Sequence, residues 1–346
     1  MVGMGCDGAS NMLGSKSGLA SRLQSDNPEL VTVHCLCHRL ELAMKDVTKV
    51  HCKKLYDRVM TVMIGLHYFY KKSHKNKKGL QRAWDTLKIQ GTLPPKVTGT
   101  RWICHVSRGV DNILHNFPAY ELHLSNASHE NAKAEGLVKI LLQKEIVLFM
   151  LVLQDLLDPL MRLSLKLQSD EVTLADAMVW YEVTVENLLK FKSRDYCELL
   201  TDGKFKGVTL KGREPQLRYK ESLIDGLIES IETRFGFNDS EMNVVKATAI
   251  CNLRRWPPNG NIKEIEEFGT EEVQTVLRHF PNALVGAGMD VDEKVVLQEW
   301  QVLKRVLYKR YIALRFFFLF VCFGCAIMTQ SNLNGLFQGI FKIKIP

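Results

Sequence analysis

Two short stretches near the start of the chain decide the predicted fold: VGMGCDGASNM at residues 2–12 and VTVHCLCHRLELA at residues 31–43. Each stretch opens with small or β-branched apolar residues, as buried strands do, and runs on into helical spacing. The pattern therefore predicts a strand, a helix, a second strand and a second helix, which is half of an α/β sheet. Asp7 falls at the carboxyl end of the first strand, where α/β proteins usually build their sites.

The remainder of the chain has a helical period from about residue 52 onward, because its apolar residues recur three and four positions apart. Gly91–Gly99 is predicted to be a loop, and Pro159 is predicted to kink or end the helix in which it lies. The predicted helices are 55–69, 101–114, 135–166, 173–192, 216–235, 240–252, 271–280 and 291–310.

Composition narrows the class of protein. Of 346 residues, 46% are hydrophobic, which excludes a wholly disordered chain. The formal charge of +8 favours a polyanionic partner, although such an excess is also common in proteins that never bind nucleic acid. The nine cysteines are odd in number and irregularly spaced, which is typical of a reduced, intracellular protein.

Neither a secretory signal nor a membrane span is expected. Met1 is not followed by a basic segment and then an apolar one, as a signal peptide would be. The Phe-rich run 316–328 is the one membrane-like stretch, and it is shorter than the ~20 residues that a spanning helix needs. The composition changes abruptly before this run, so we expect residues 311–346 to be a foreign or truncated ending outside the fold.

Asp7 has two interpretations on the residues alone. An aspartate before glycine is ordinarily a turn residue. A carboxylate at a strand end can also hold a divalent cation for phosphoryl transfer, but a two-metal site needs further carboxylates beside it. Motifs for other catalytic classes, such as a Walker loop or a nucleophile elbow, are absent from the sequence.

Three motifs together resemble the hAT transposase superfamily, particularly vertebrate transposase-derived proteins that often carry zinc-finger names. The motifs are DGASNM at 7–12, CLCHRLELA at 35–43 and Arg101-Trp102. The resemblance spans about residues 1–310 and implies a ribonuclease H-like fold with a large all-helical insertion. It also implies that Asp7 is the second acid of an Asp-Asp-Glu metal site and that Arg101 and Trp102 lie beside the DNA.

The same resemblance leaves the catalytic site incomplete. The resemblance places the family's first acid on a strand earlier than the predicted strand at residues 2–6, so we expect this sequence, which starts at Met1, to lack it. The third acid is a Glu in a late helix, but the sequence around Glu293 and Glu299 lacks its motif. We therefore expect no independent catalysis and no cofactor, with Mg²⁺ or Mn²⁺ at Asp7 only if partner acids are supplied.

A cluster of cysteines and histidines has the residue types that bind zinc. Its members are His34, Cys35, Cys37, His38, His51 and Cys52. Cys35 and His38 correspond to the family's Cys-x-x-His motif, but a second ligand pair at ordinary spacing is missing. We expect this motif to be structural and free of zinc, with Cys35 buried and His38 satisfied by a nearby backbone group or carboxylate.

Two basic segments are candidates for nucleic-acid binding. Trp102 could stack on an unpaired base while Arg101 meets a phosphate, although a Trp at a helix start is more often plain core. The run KKSHKNKK at 71–78 could follow a phosphate backbone or serve as a nuclear signal, and it could equally be a solvated helix end. Its candidate residues are Lys71, Lys72, Lys75, Lys77 and Lys78.

The sequence thus predicts a class of α/β plus α. The predicted domains are a partial ribonuclease H-like segment at 1–51, a helical insertion-type domain at 52–310 and the atypical tail at 311–346. The expected function is that of a transposase-derived nuclear or nucleocytoplasmic interaction protein, with DNA and nuclear proteins as partners and no small-molecule substrate. Two alternatives stay open: a DNA-nicking or strand-transfer enzyme completed by a longer isoform, and a protein-modification or scaffold role.

Overall fold

A computed structural model describes residues 2–99, 101–169, 172–213, 217–237, 242–252, 256–257, 262–289 and 291–308. Within these residues the chain is mostly helical, with two small sheets of two strands each. This α-rich composition with a small sheet is compatible with the predicted class of α/β plus α. The predicted tail at 311–346 lies outside the described residues.

The secondary-structure elements are numbered in chain order over the described residues. The strands are β1 Gly3–Cys6, β2 Val31–His34, β3 Lys204–Phe205 and β4 Val208–Thr209. The helices are α1 Ser10–Leu13, α2 Leu19–Asp26, α3 Leu36–His51, α4 Lys53–Lys71, α5 His74–Leu87, α6 Trp102–His115, α7 Phe117–Ser128, α8 Ala132–Leu141, α9 Lys144–Lys166, α10 Leu174–Lys190, α11 Tyr219–Phe235, α12 Asn243–Ala247, α13 Ile262–Glu267, α14 Thr270–His279, α15 Pro281–Gly286 and α16 Glu293–Leu307. Short 3₁₀ turns occupy Cys197–Leu199 and Thr248–Cys251.

The chain divides into two compact units, and each is assembled from separate stretches of sequence. The strand unit contains the described residues within 1–35, 173–178 and 236–308, and the helical unit contains those within 36–172 and 179–235. The predicted domains, in contrast, follow sequence order with boundaries at residues 51 and 310. That division stays a prediction.

The strand unit begins with the two predicted strands, which pair in parallel. Gly3 is opposite Val31 and Cys6 is opposite His34. Parallel neighbours need a crossover connection, and the intervening helices α1 and α2 supply it. The two predicted strands are therefore confirmed, whereas the single helix predicted between them is two helices.

A second part of the strand unit is a helical cluster with its own core. The buried side chains of this cluster are Ile250, Trp256, Val273, Trp300 and Leu307. Lys304 is buried among them, and its ammonium nitrogen donates to the carbonyl oxygens of Glu266 at 2.6 Å and Phe268 at 2.9 Å. Burial lowers the pKa of Lys304 to about 8. These two hydrogen bonds cap the end of α13 and hold α16 against it.

The helical unit is built around α9, whose apolar side chains from Ile146 to Leu163 are almost all buried. The predicted single helix 135–166 is in fact two helices, α8 and α9. Their junction carries backbone hydrogen bonds to Lys211, which donates to Leu142 at 2.7 Å and accepts from Lys144 at 2.8 Å. Pro159 lies inside α9 and does not end it.

Candidate functional site

Asp7 lies directly after β1 and is exposed. Its carboxylate accepts a hydrogen bond from the backbone N–H of Ala9 at 3.2 Å, as aspartates in turns commonly do. The imidazole of His34 packs against the same turn, since a Cβ added to Gly8 would lie 2.5 Å from its Cε1 atom. The turn interpretation of Asp7 thus has a visible structural basis.

The chemistry available at this edge of the sheet is limited. The pKa of the Cys6 thiol is raised, first by burial and then by the nearby charges of Asp7 and Cys35, so Cys6 is held in its unreactive protonated form. Among the described residues, no three His, Cys, Asp or Glu side chains converge in an arrangement that could hold a metal ion. The expectations about Mg²⁺, Mn²⁺ and zinc stay predictions.

The CLCHRLELA motif forms the start of α3 and ties that helix to others in the helical unit. The Cys37 thiol donates to the carbonyl oxygen of Ser164 at 3.7 Å, and the Arg39 guanidinium donates to the carbonyl oxygen of Arg234 at the end of α11. The expectation that Cys35 is buried is wrong: Cys35 is exposed, because it lies in the single-residue connection between β2 and α3. His38 is exposed as well.

Glu41 is the residue of this motif that the sequence interpretation missed. It is buried, and its Oε2 atom accepts the backbone N–H of Ile103 at 2.9 Å, at the start of α6. Burial raises the pKa of its carboxyl group, and the Ile103 N–H, Lys45 and the Trp102 N–H oppose that rise. Glu41 therefore links the CLCHRLELA motif to the Arg101-Trp102 motif.

A signal for this contact was present in the sequence. Helix α6 has no side-chain cap of its own, because Arg101 occupies the capping position. Its first N–H groups therefore need an acceptor from elsewhere in the unit. Glu41 lies beside Leu40 on the inward face of α3, so it was a candidate for this hydrogen-bond acceptor.

Trp102 and Arg101 point into different surroundings. Trp102 is only 8% exposed, and its ring centre lies 5.7 Å from that of Tyr56. Arg101 and Arg108 are both exposed. Burial raises the pKa of the Cys104 thiol, and the charges of Arg108 and Arg101 oppose that rise. At the start of α6, the cationic side chains are thus accessible while the aromatic ring is not.

The predicted loop Gly91–Gly99 leads into Arg101 and is fixed along its length. The Asn112 amide donates to the carbonyl and hydroxyl oxygens of Thr92, both at 3.0 Å. His67 bonds to the carbonyl oxygen of Pro94 at 3.0 Å, and Val97 is buried. The loop assignment is confirmed, and these contacts set the position from which α6 begins.

The lysine run at 71–78 spans the end of α4, the two-residue connection at 72–73 and the first turn of α5. We call these residues the basic corner. Ser73 caps α5 by accepting the N–H of Asn76 at 3.2 Å. Lys77 is half-buried, and the other lysines of the corner, Lys71, Lys72, Lys75 and Lys78, are exposed. Lys75 pairs with Glu130 at 3.2 Å, and no other lysine of the corner pairs with a described carboxylate. The basic corner is therefore strongly positive, because only one of its lysines is paired with a described carboxylate.

No family model matches the chain. No solved structure matches it significantly. In the part of the chain that the structure describes, no helix is both long and apolar enough to span a bilayer. The transposase resemblance therefore depends on its three sequence motifs.

Proposed function

We propose that this chain is a transposase-derived nuclear interaction protein that binds DNA through the basic corner and performs no catalysis by itself. The observation that carries the proposal is the set of exposed lysines in the corner, of which only Lys75 pairs with a described acid. Lysines without acidic partners bind phosphates and release condensed counterions from DNA. The net charge of +8 acts in the same direction at longer range.

The proposed origin is a ribonuclease H-like fold with a helical insertion. Its support is the pair of parallel strands β1 and β2, with Asp7 at their carboxyl end, and the resemblance of the three motifs to the hAT superfamily. The lysine run also has the composition of a nuclear localisation signal, which supports the proposed compartment.

The proposal excludes independent strand cleavage because Asp7 is the only acid that the motifs assign. A two-metal mechanism needs two ions about 3.5–4 Å apart, and several carboxylates are required to hold them there. Incubating supercoiled DNA with the purified chain and Mg²⁺ or Mn²⁺ is expected to leave it intact. Nicking that disappears in the Asp7→Ala variant would instead favour the enzyme interpretation.

The binding proposal is tested by removing charge from the corner. The variant Lys71→Gln/Lys72→Gln/Lys78→Gln is expected to bind duplex DNA at least about tenfold more weakly in fluorescence anisotropy. The matched control changes three exposed lysines of the same unit that lie outside the corner, Lys190, Lys204 and Lys211. Equal losses in both variants would show that only net charge matters and would reject the corner as a site.

A further inference from the structure

Among the residues that the structure describes, one aromatic side chain is more exposed than the rest. Tyr68 is 41% exposed, whereas every other Trp, Tyr and Phe among the described residues is buried or half-buried. A single exposed aromatic needs no explanation by itself. The position of Tyr68 is what makes it informative, because it lies on α4 one helical turn before Lys72.

The surroundings of Tyr68 hold it in place at the edge of the basic corner. Its neighbours Phe69 and Tyr70 are buried and anchor this turn of α4 in the helical unit. The His67 ring meets the Tyr68 ring edge-on, with ring centres 5.2 Å apart. On the side of the corner, the Lys72 ammonium lies 5.9 Å from the centre of the Tyr68 ring.

An exposed ring beside unneutralised lysines is the arrangement that binds single-stranded nucleic acid. A base stacks on the ring while cations near it hold the phosphates on either side. Lys71 and Lys72 directly follow this turn of α4 and are both exposed. Trp102, the sequence candidate for this role, is only 8% exposed and packs against Tyr56, so its faces are not available to a base.

We infer that Tyr68 is a stacking platform for an unpaired nucleobase, with Lys71 and Lys72 binding the flanking phosphates. This inference rests on the proposed DNA binding by the basic corner and extends it. It identifies the preferred ligand as DNA with unpaired bases, such as a gap or a hairpin loop. Duplex DNA then binds through the lysines alone, because its bases are already stacked on one another.

The test compares a single-stranded oligothymidylate of about 20 nucleotides with a duplex of the same length, in the same buffer, by fluorescence anisotropy. Tyr68→Ala is expected to weaken binding to the single strand about tenfold and to leave duplex binding unchanged. Tyr68→Phe keeps the ring and should bind both ligands as the unchanged chain does. Leu165→Ala removes an exposed side chain elsewhere in the helical unit and is the matched control.

The possible results separate the two proposals. No binding of either ligand by the unchanged chain would reject the DNA-binding function itself, and the stacking role with it. Binding of both ligands with no selective loss in Tyr68→Ala would retain the basic corner and reject the stacking role. An equal loss for both ligands in Tyr68→Ala, with Tyr68→Phe unaffected, would also overturn stacking on unpaired bases.

Discussion

The start of α6 and the basic corner look alike in sequence, since each sets basic residues beside an aromatic one, but they differ in three dimensions. At α6 the aromatic ring of Trp102 is 8% exposed and packs against Tyr56. At the corner the ring of Tyr68 is 41% exposed and faces Lys72. The difference indicates that Trp102 stabilises the fold, whereas Tyr68 is free to meet a ligand.

The two regions also differ in how their charges are used. At the start of α6, the buried carboxyl group of Glu41 accepts the Ile103 N–H, so the first turn of this helix already has a hydrogen-bond acceptor. At the corner, Ser73 caps α5 with a neutral hydroxyl and leaves the lysines without a common counterion. A phosphate would therefore bind more favourably at the basic corner than at the start of α6.

The largest expected effect concerns Trp102. Trp102→Ala removes a buried ring and is expected to lower the unfolding free energy by about 3–5 kcal/mol, whereas Tyr68→Ala should change it by less than about 0.5 kcal/mol. Urea denaturation followed by circular dichroism measures both values. Similar losses in the two variants would remove the contrast between a structural and an exposed aromatic residue.

The next effect is at Glu41, where Glu41→Leu leaves the Ile103 N–H buried without its acceptor. The expected loss of unfolding free energy is about 1–3 kcal/mol. The matched control is Glu121→Leu, because Glu121 is a less buried acid on α7 of the same unit. A smaller loss for Glu41→Leu than for the control would contradict the capping role.

Glu41 is also expected to make the unfolding free energy depend on pH. Because burial raises the pKa of Glu41, the folded chain keeps a proton that the unfolded chain releases above about pH 4.3. The contribution of this group to stability is therefore highest at acidic pH and falls as the pH rises through the folded pKa. Glu41→Gln cannot ionise and should show a flatter decline over this range in the same denaturation experiment.

Arg101 has the smallest expected effect on binding. Arg101→Ala removes one exposed cation, so we expect a loss of duplex affinity of about two- to fourfold, less than that of the triple lysine variant. Anisotropy at fixed salt gives both numbers. A greater loss for Arg101→Ala than for the triple variant would place the main contact at α6 and reverse the comparison.

Local patterns predicted most of the elements. The β-branched run at 31–33 and the glycine-spaced start indicated β1 and β2, and both strands are present with parallel pairing. The segment Gly91–Gly99 was correctly predicted to be a loop before Arg101. The interruption between α8 and α9 was not predicted. The backbone at this junction pairs with Lys211, about seventy residues away in the sequence, and a local pattern does not show such a contact.

The candidate site was harder to predict than the elements. Sequence shows which residues are basic or aromatic, but whether a ring is exposed depends on the elements packed around it. Trp102 and Tyr68 could therefore not be ranked from sequence alone. Glu41 was missed for a related reason, since its partner Ile103 lies in a distant segment of the chain.

The salt dependence of duplex binding tests the central claim most directly. Plotting the logarithm of affinity against that of salt concentration gives a slope of about −0.9 per phosphate contact. If the basic corner makes these contacts, removing Lys71, Lys72 and Lys78 should reduce the slope by about 2.7, and the control triple variant should keep the original slope. An unchanged slope in the corner variant would contradict the claim that this surface binds DNA.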